Sequence, residues 1–151
     1  MKRKILAFVY DGKRFLTLRN NPEDPAHGGD YWFTVTGSVE IRESYLDAIK
    51  REVKEETNLD VSEIFDLKCG SVYSWGGEEY RERNYLALIK RGKIRLNEEH
   101  IDFEWLDLEK FVERISWRLD KNDLEAVLKS ALQRQLFFKK EKIDDFRKKV
   151  T

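Results

Sequence analysis

Near the middle of the sequence, acidic side chains recur at the spacing of a helix, and this pattern limits the structures that the chain can form. Glu52, Glu55 and Glu56 stand at positions i, i+3 and i+4, so on a helix their carboxylates project from one face. Like charges at these spacings repel and destabilise a helix. Mg²⁺ and Mn²⁺ prefer oxygen ligands and would neutralise the repulsion. The cluster indicates a metal-binding helix, although a solvated acidic face interleaved with Lys50 and Lys54 explains the same residues when they are considered alone.

The residues around the cluster predict where this helix begins and ends. A helix over residues 44–57 has Ser44 as its N-cap, and Asp47 is an imperfect capping-box partner three residues later. Asn58 follows the helix at a position that is usually left-handed, a conformation that Asn tolerates better than most non-glycine residues. The predicted apolar stripe comprises Leu46, Ile49 and Val53.

The remaining pattern predicts strands on both sides of this helix and further helices toward the end of the chain. Strands are predicted at residues 4–10, 14–18, 31–35, 61–73 and 85–89, with loops at 20–30 and 74–79 and an interruption at Gly37. Helices are predicted at residues 108–114 and, with an amphipathic pattern, from Asp123 to Leu136. This order of elements predicts an α+β fold in which helices cover both faces of a sheet, an α/β/α sandwich.

Composition limits the domain count and the classes of partner. With 151 residues, 40% of them hydrophobic, the chain can build one core, so we expect a single domain over residues 1–151. The 29 basic residues balance the 29 acidic ones, which gives no electrostatic case for a general binder of nucleic acid or membrane surfaces. The apolar run of residues 5–10 is too short for a signal peptide or a membrane-spanning helix.

Cys69 is the only cysteine, so neither an intramolecular disulfide nor a zinc site built from cysteines can form. A reducing, cytoplasmic location is the default expectation for such a chain. Cys69 lies in an apolar, strand-like stretch, where a buried structural thiol is predicted rather than a nucleophile.

A basic run marks the C-terminal helix or tail at about residues 120–151. We interpret it as the solvated end of a helix, and docking of a partner or of a phosphorylated ligand is the alternative. Its basic residues are Lys139, Lys140, Lys142, Arg147, Lys148 and Lys149.

The full spacing around the acidic cluster resembles the Nudix box, whose pattern is G-x5-E-x7-R-E-U-x-E-E-x-G-U with U a bulky aliphatic residue. Every fixed position is matched except the second glycine, which is Asn58 here and can adopt the same left-handed conformation. The matching residues are Gly37, Glu43, Arg51, Glu52, Glu55, Glu56 and Leu59.

The resemblance implies a Nudix fold, a mixed β-sheet between helices, with the loop-helix-loop of the box at residues 37–59. It also implies hydrolysis of a phosphoanhydride bond with Mg²⁺ or Mn²⁺ as cofactor. The implied metal ligands are Glu52, Glu55, Glu56 and the carbonyl of Thr36. A structural clamp is implied for Gly37, Glu43 and Arg51, and Arg51 is well placed to pair with Glu43.

A second match lies downstream of the box. Glu99 precedes Trp105 by six residues, a spacing at which several Nudix enzymes carry an acid that binds metal or acts as a general base. Glu99 is therefore a candidate metal ligand and catalytic residue, with Glu98 close behind and an ordinary acidic loop as the alternative. His100 could assist proton transfer or be a turn residue without a chemical role. Either Glu52 or Glu99 could be the base.

Within the family, residues 31–118 look most like the dihydroneopterin triphosphate pyrophosphohydrolases, often labelled dATP pyrophosphohydrolases. The implied substrate is a (deoxy)nucleoside or pterin triphosphate, with release of pyrophosphate. Diadenosine tetraphosphate hydrolases share the Glu-His and Trp pattern and are the alternative, and a Nudix domain without catalysis that binds a ligand is the third.

Three side chains are candidates for substrate binding: Arg19, Trp32 and Arg83. Each could equally be a surface charge or a core residue. The expected partner is a small nucleotide or pterin polyphosphate, without nucleic acid or membrane. The chain could be a monomer or a homodimer, for which the apolar C-terminal helix could supply the interface.

Overall fold

A computed structural model gives the structure of residues 1–24, 28–90 and 92–133. The elements are β1 (Lys2–Tyr10), β2 (Phe15–Asn20), β3 (Trp32–Phe33), β4 (Val35–Ser38), α1 (Tyr45–Thr57), β5 (Val61–Trp75), β6 (Glu78–Ile89), β7 (His100–Leu106) and α2 (Leu108–Arg114). Residues 121–133 are helical and are called α3. Leu136 of the predicted amphipathic helix and the whole basic run lie outside the described residues. Within the described part, no helix is both long and apolar enough to cross a membrane.

In the described residues, the strands form a seven-stranded mixed sheet with the order β3-β2-β1-β6-β5. β4 joins this sheet by pairing with β1, and β7 joins it by pairing with β2. β1 and β6 run parallel, while the other paired strands are antiparallel. A parallel pair requires a long crossover connection, and here that connection includes α1. β1 is central, because Leu6 lies opposite Asn84 of β6 on one side and opposite Thr36 of β4 on the other.

Side chains of β1 alternate between two cores, one on each face of the sheet. Ile5 and Val9 belong to the core that α1 covers, together with Ile49 and Val53 of that helix. The core on the opposite face contains Leu6, Phe8, Phe15, Leu86, Phe111, Val112, Ile115, Leu124 and Leu128. Helices α2 and α3 thus cover the face that α1 leaves open, which confirms the predicted α/β/α sandwich.

Both ends of α1 lie where the sequence predicts them. Ser44 is the N-cap, and its hydroxyl accepts a hydrogen bond of 3.1 Å from the backbone N–H of Asp47. Asn58 is left-handed with φ of 68°, and its backbone N–H donates to the carbonyl of Lys54. Its side-chain amide also donates to the carbonyl of Lys93, at 3.2 Å.

The hairpin of β5 and β6 is longer than predicted. The expected loop at residues 74–79 is reduced to a turn at Gly76 and Gly77, whose φ values are 58° and 79°. The charged Glu78 and Glu79 after the turn belong to β6, because charged residues in an exposed hairpin are compatible with strand pairing. Gly37, which was expected to interrupt the chain, lies inside β4.

Two predictions about burial are wrong. Leu46 was assigned to the apolar stripe of α1, but it is 48% exposed. The buried side of the helix instead runs from Ile49 and Val53 to Glu56. Cys69 is exposed because it lies on the outermost strand, β5, of the described sheet order.

Because Asn58 is left-handed, two substitutions at this position should differ in their effect on stability. Asn58→Ala should lower the free energy of unfolding by about 1 kcal/mol or more, because an ordinary L side chain disfavours this conformation. Asn58→Gly should change it by less than about 0.5 kcal/mol, because glycine adopts positive φ without steric cost. Urea unfolding measures both. Equal losses would show that the side-chain hydrogen bond, not the backbone conformation, decides stability here.

Candidate metal-binding site

The structure separates the three acidic residues of α1 into different environments. The Glu56 side chain is 2% exposed and extends the buried side of the helix toward the sheet. Glu52 is 13% exposed, whereas Glu55 is 55% exposed. The three residues lie on one face of the helix, as predicted, but the burial of each depends on the packing of α1 against β4 and β1. Only Glu56 is enclosed by protein.

Gly37 of β4 makes room for the Glu52 side chain. A Cβ atom at residue 37 would overlap the carboxyl group of Glu52, so any other residue would displace that group. The preceding residue, Thr36, lines the same small cavity as Glu56. The first glycine of the box therefore permits close packing between β4 and the acidic side of α1.

Arg51 connects the loop after β4 to the acidic cluster. Its Nε and Nη2 atoms donate to the two carboxylate oxygens of Glu43, at 2.8 and 2.9 Å, and Nη2 also donates to the carbonyl of Ser38 at 2.8 Å. Nη1 donates to Glu52 at 2.9 Å and to Glu55 at 3.3 Å. One guanidinium thus orients two carboxylates of α1 while it holds the loop in place.

Pairing of β7 with β2 brings the downstream acid to the helix. Asn20 lies opposite His100 in the ladder, and the backbone N–H of Asn21 donates to the carbonyl of Glu99 at 2.9 Å. As a result, one ligand-type atom from each of Glu56, Glu99 and His100 lies within 4.8 Å of the others. The Nδ1 atom of His100 is 3.8 Å from Oε1 of Glu56.

Burial raises the pKa of Glu56 well above its ordinary value, and the charges of Glu99 and Glu52 raise it further. Burial also raises the pKa of Glu52, with Arg51 acting in the opposite direction. The Oε2 atom of Glu56 is buried and accepts no hydrogen bond from the described residues. A buried carboxylate with an open acceptor, close to two further acids, fits a hard divalent cation such as Mg²⁺ or Mn²⁺.

The cavity beside Glu56 has a volume of about 30 Å³, room for about two water-sized groups. It can hold a cation with one bound water but not a nucleotide base or a pterin ring, so such a ring would have to lie outside it. The cavity is lined by Leu18, Asn20, Tyr31, Phe33, Thr34, Thr36, Glu56, Glu99 and His100. Sequence reasoning did not single out Asn20, because no local motif marks a residue whose position depends on the β2–β7 register.

The three candidate substrate-binding residues do not line this cavity. Arg19 donates to both carboxylate oxygens of Asp30, at 2.8 and 2.7 Å. The guanidinium of Arg114 lies 5.0 Å from the centre of the Trp32 ring, and that of Arg83 lies 4.7 Å from the Tyr45 ring. The structure therefore shows protein partners for all three side chains.

Comparison with known proteins gives a match of the NUDIX domain family to residues 1–127. An NAD-capped RNA hydrolase NudC of Mannheimia succiniciproducens is 33% identical over 67% of this chain, which spans only 38% of that protein. The dihydroneopterin triphosphate diphosphatase of Haemophilus influenzae is 29% identical over 84% of this chain and 85% of that protein.

A solved structure shows the same fold. The dihydroneopterin triphosphate pyrophosphohydrolase of E. coli aligns with a TM-score of 0.63 over 82% of this chain and 92% of that one. The two sequences are 24% identical in this alignment, so the likeness concerns the fold.

The pair of Arg51 and Glu43 predicts a pH-dependent stability. Arg51 and the backbone N–H of Glu40 hold the pKa of Glu43 at about 2, below its ordinary value of 4.5. The stabilisation is therefore complete above pH 4.5 and is lost as the pH falls toward 2. Glu43→Gln should lower the free energy of unfolding by about 1–3 kcal/mol at neutral pH. This difference from the wild type should disappear as the pH falls from 4.5 to about 2.

Urea unfolding of the wild type and Glu43→Gln at several pH values measures this deficit. Glu40→Gln is the matched control, because the exposed Glu40 carboxylate is 3.9 Å from Arg51 and should contribute less than about 0.5 kcal/mol. A deficit for Glu43→Gln that is the same at every pH would contradict a role for its charge.

Proposed function

The chain belongs to the Nudix family, and from this premise we propose that it hydrolyses a phosphoanhydride bond with a divalent cation held at Glu52, Glu56 and Glu99. The observation that carries the proposal is the buried Glu56 carboxylate, whose Oε2 atom has no hydrogen-bond donor among the described residues. Two further acids close to a buried carboxylate destabilise the folded state unless protons or a cation offset their charge. Glu55 and the Thr36 carbonyl are further candidate ligands.

In the proposed reaction, the oxygen of a water molecule attacks a phosphorus atom and the bridging phosphoanhydride P–O bond breaks. A bound Mg²⁺ or Mn²⁺ supplies neutralisation of phosphoryl oxygens and a lower pKa for coordinated water. A carboxylate of the chain accepts the remaining proton, and Glu52 and Glu99 are the two candidates. Arg51 orients Glu52 through its 2.9 Å hydrogen bond, and the β2–β7 ladder positions Glu99.

The proposed substrate is a (deoxy)nucleoside or pterin triphosphate, and pyrophosphate is the proposed leaving group. The support is the Haemophilus influenzae relative, which is named for dihydroneopterin triphosphate and aligns over 84% of this chain and 85% of its own length. Because the cavity of about 30 Å³ is too small for a ring, we place the base or pterin outside it, beside the lining residue Tyr31.

Diadenosine tetraphosphate is the second candidate substrate, favoured by Glu99-His100 and Trp105. A ligand-binding domain without catalysis is disfavoured, because binding alone does not require a repulsive carboxylate cluster. One relative is named for NAD-capped RNA, so the expected absence of a nucleic-acid partner stays a prediction. A single domain over residues 1–151 and a cytoplasmic location also stay predictions.

Glu52→Gln and Glu56→Gln should each lower turnover about 100-fold or more, because each removes a charged oxygen from the proposed centre. The assay supplies Mg²⁺ or Mn²⁺ with dATP, dihydroneopterin triphosphate or diadenosine tetraphosphate, and identifies the phosphate products. Asp47→Asn is the matched control, the same carboxylate-to-amide change on the exposed side of α1, and it should keep wild-type turnover. Chelation should abolish turnover, whereas near-wild-type rates in both glutamate variants would refute the assignment.

Thermal unfolding separates cation binding from catalysis. Without a divalent cation, Glu56→Gln should be more stable than the wild type, because it removes a buried charge beside other acids. Mn²⁺ at a concentration about 100 times its Kd should stabilise the wild type by about 2.7 kcal/mol and so raise its Tm. The same concentration should raise the Tm of Glu56→Gln far less. An equal rise in both proteins would place the bound cation away from Glu56.

A further inference from the structure

The outer edge of β5 is an exposed strand without the usual protection. Among the described strands, β5 pairs only with β6 and ends the sheet on that side. Its last seven residues, 69–75, are Cys-Gly-Ser-Val-Tyr-Ser-Trp and carry no charge, although 38% of the chain is charged. Val72 is 57% exposed and Trp75 is 69% exposed. An uncharged edge of this length is a template for pairing with another chain.

Other edges of the described sheet carry protective features that residues 70–75 lack. β7, which pairs only with β2 among the described strands, contains Asp102 and Glu104. The first part of β5 is broken by a register shift between Asp66 and Gly70. Charges and bulges of this kind discourage pairing between edges. From Gly70 to the turn, the β5–β6 register is continuous, so the edge stays regular.

The hairpin turn fixes which backbone groups face outward. Gly76 and Gly77 both have positive φ, as in a two-residue type I′ turn. In such a turn the carbonyl of Trp75 accepts from the N–H of Glu78, so these two residues form a hydrogen-bonded pair. Because antiparallel pairs alternate, the N–H and C=O groups of Val72 and Ser74 point away from β6, toward the open edge.

We propose that this edge pairs with the same edge of a second copy of the chain, giving a homodimer with a two-fold axis at Val72. Antiparallel pairing about this axis places Val72 opposite its own copy and Gly70 opposite Ser74. The segment 69–75 contains no charged residue, so self-association brings no like-charge repulsion between the paired segments. The outward N–H and C=O groups supply the hydrogen bonds of a β-ladder across the interface.

The charges of the neighbouring strand favour a second copy as the partner. Arg81 lies directly opposite Val72 in the β5–β6 ladder, Arg83 lies opposite Gly70 and Glu79 lies opposite Ser74. Because the axis aligns Gly70 of one copy with Ser74 of the other, Arg83 of one copy lies in the same row as Glu79 of the second copy, and these two charges have opposite sign. A single strand pair buries a small area, so we expect a dissociation constant of about 10 µM.

Sedimentation velocity of the full chain, from about 1 µM to about 100 µM, measures the association. Val72→Lys should weaken it at least about 10-fold, because two added charges would face each other across the axis beside Arg81. Val72→Pro should weaken it similarly, because it removes an outward N–H and leaves the ladder to β6 intact. Leu119→Lys is the matched control, with the same charge added at an apolar residue that is 70% exposed, and it should dimerise like the wild type.

Thermal unfolding and turnover of each variant establish that it is folded, since Val72 is outside the proposed cation site. A wild-type chain that stays monomeric at all concentrations would overturn the proposal. A dimer that persists unchanged in both Val72 variants would also overturn it, because the interface would lie elsewhere.

Discussion

The acidic site is organised around a carboxylate buried where apolar side chains normally lie. Glu56 follows Ile49 and Val53 on the sheet-facing side of α1, and its side chain is only 2% exposed. Burial of an ionised group is costly unless it is paired, and the nearby acids Glu52 and Glu99 add to the cost. Burial of Glu56 therefore lowers the stability of the folded chain, and the proposed cation would offset this loss.

Much of the surrounding structure serves to keep these acids in place. Gly37 lets Glu52 lie against β4, and Arg51 holds Glu52 by the same guanidinium that binds Glu43. The β2–β7 ladder brings Glu99 to the helix from a distant part of the sequence. In the proposed site, acids that are held in place before binding lower the reorganisation that binding of a cation and a polyphosphate requires. The β-sheet and the two cores supply the rigidity on which that arrangement depends.

Local features were predictable from the sequence, and features that depend on distant packing were not. The ends of α1 follow from Ser44 and Asn58, because capping involves only neighbouring residues. Helical spacing placed Leu46 in the core and could not distinguish Glu56 from Glu55, because burial depends on where the sheet lies. The position of Glu99 beside α1 depends on the register between β2 and β7, which no short segment of the sequence encodes.

The proposal that Glu56 and Glu99 share a divalent cation can be tested with a crystal of the chain soaked in Mn²⁺. Anomalous scattering locates manganese without reference to activity or stability. We expect a peak at coordination distance, about 2.0–2.3 Å, from carboxylate oxygens of both Glu56 and Glu99. Manganese found only at exposed Glu55, or absent from the cluster at saturating concentration, would contradict it.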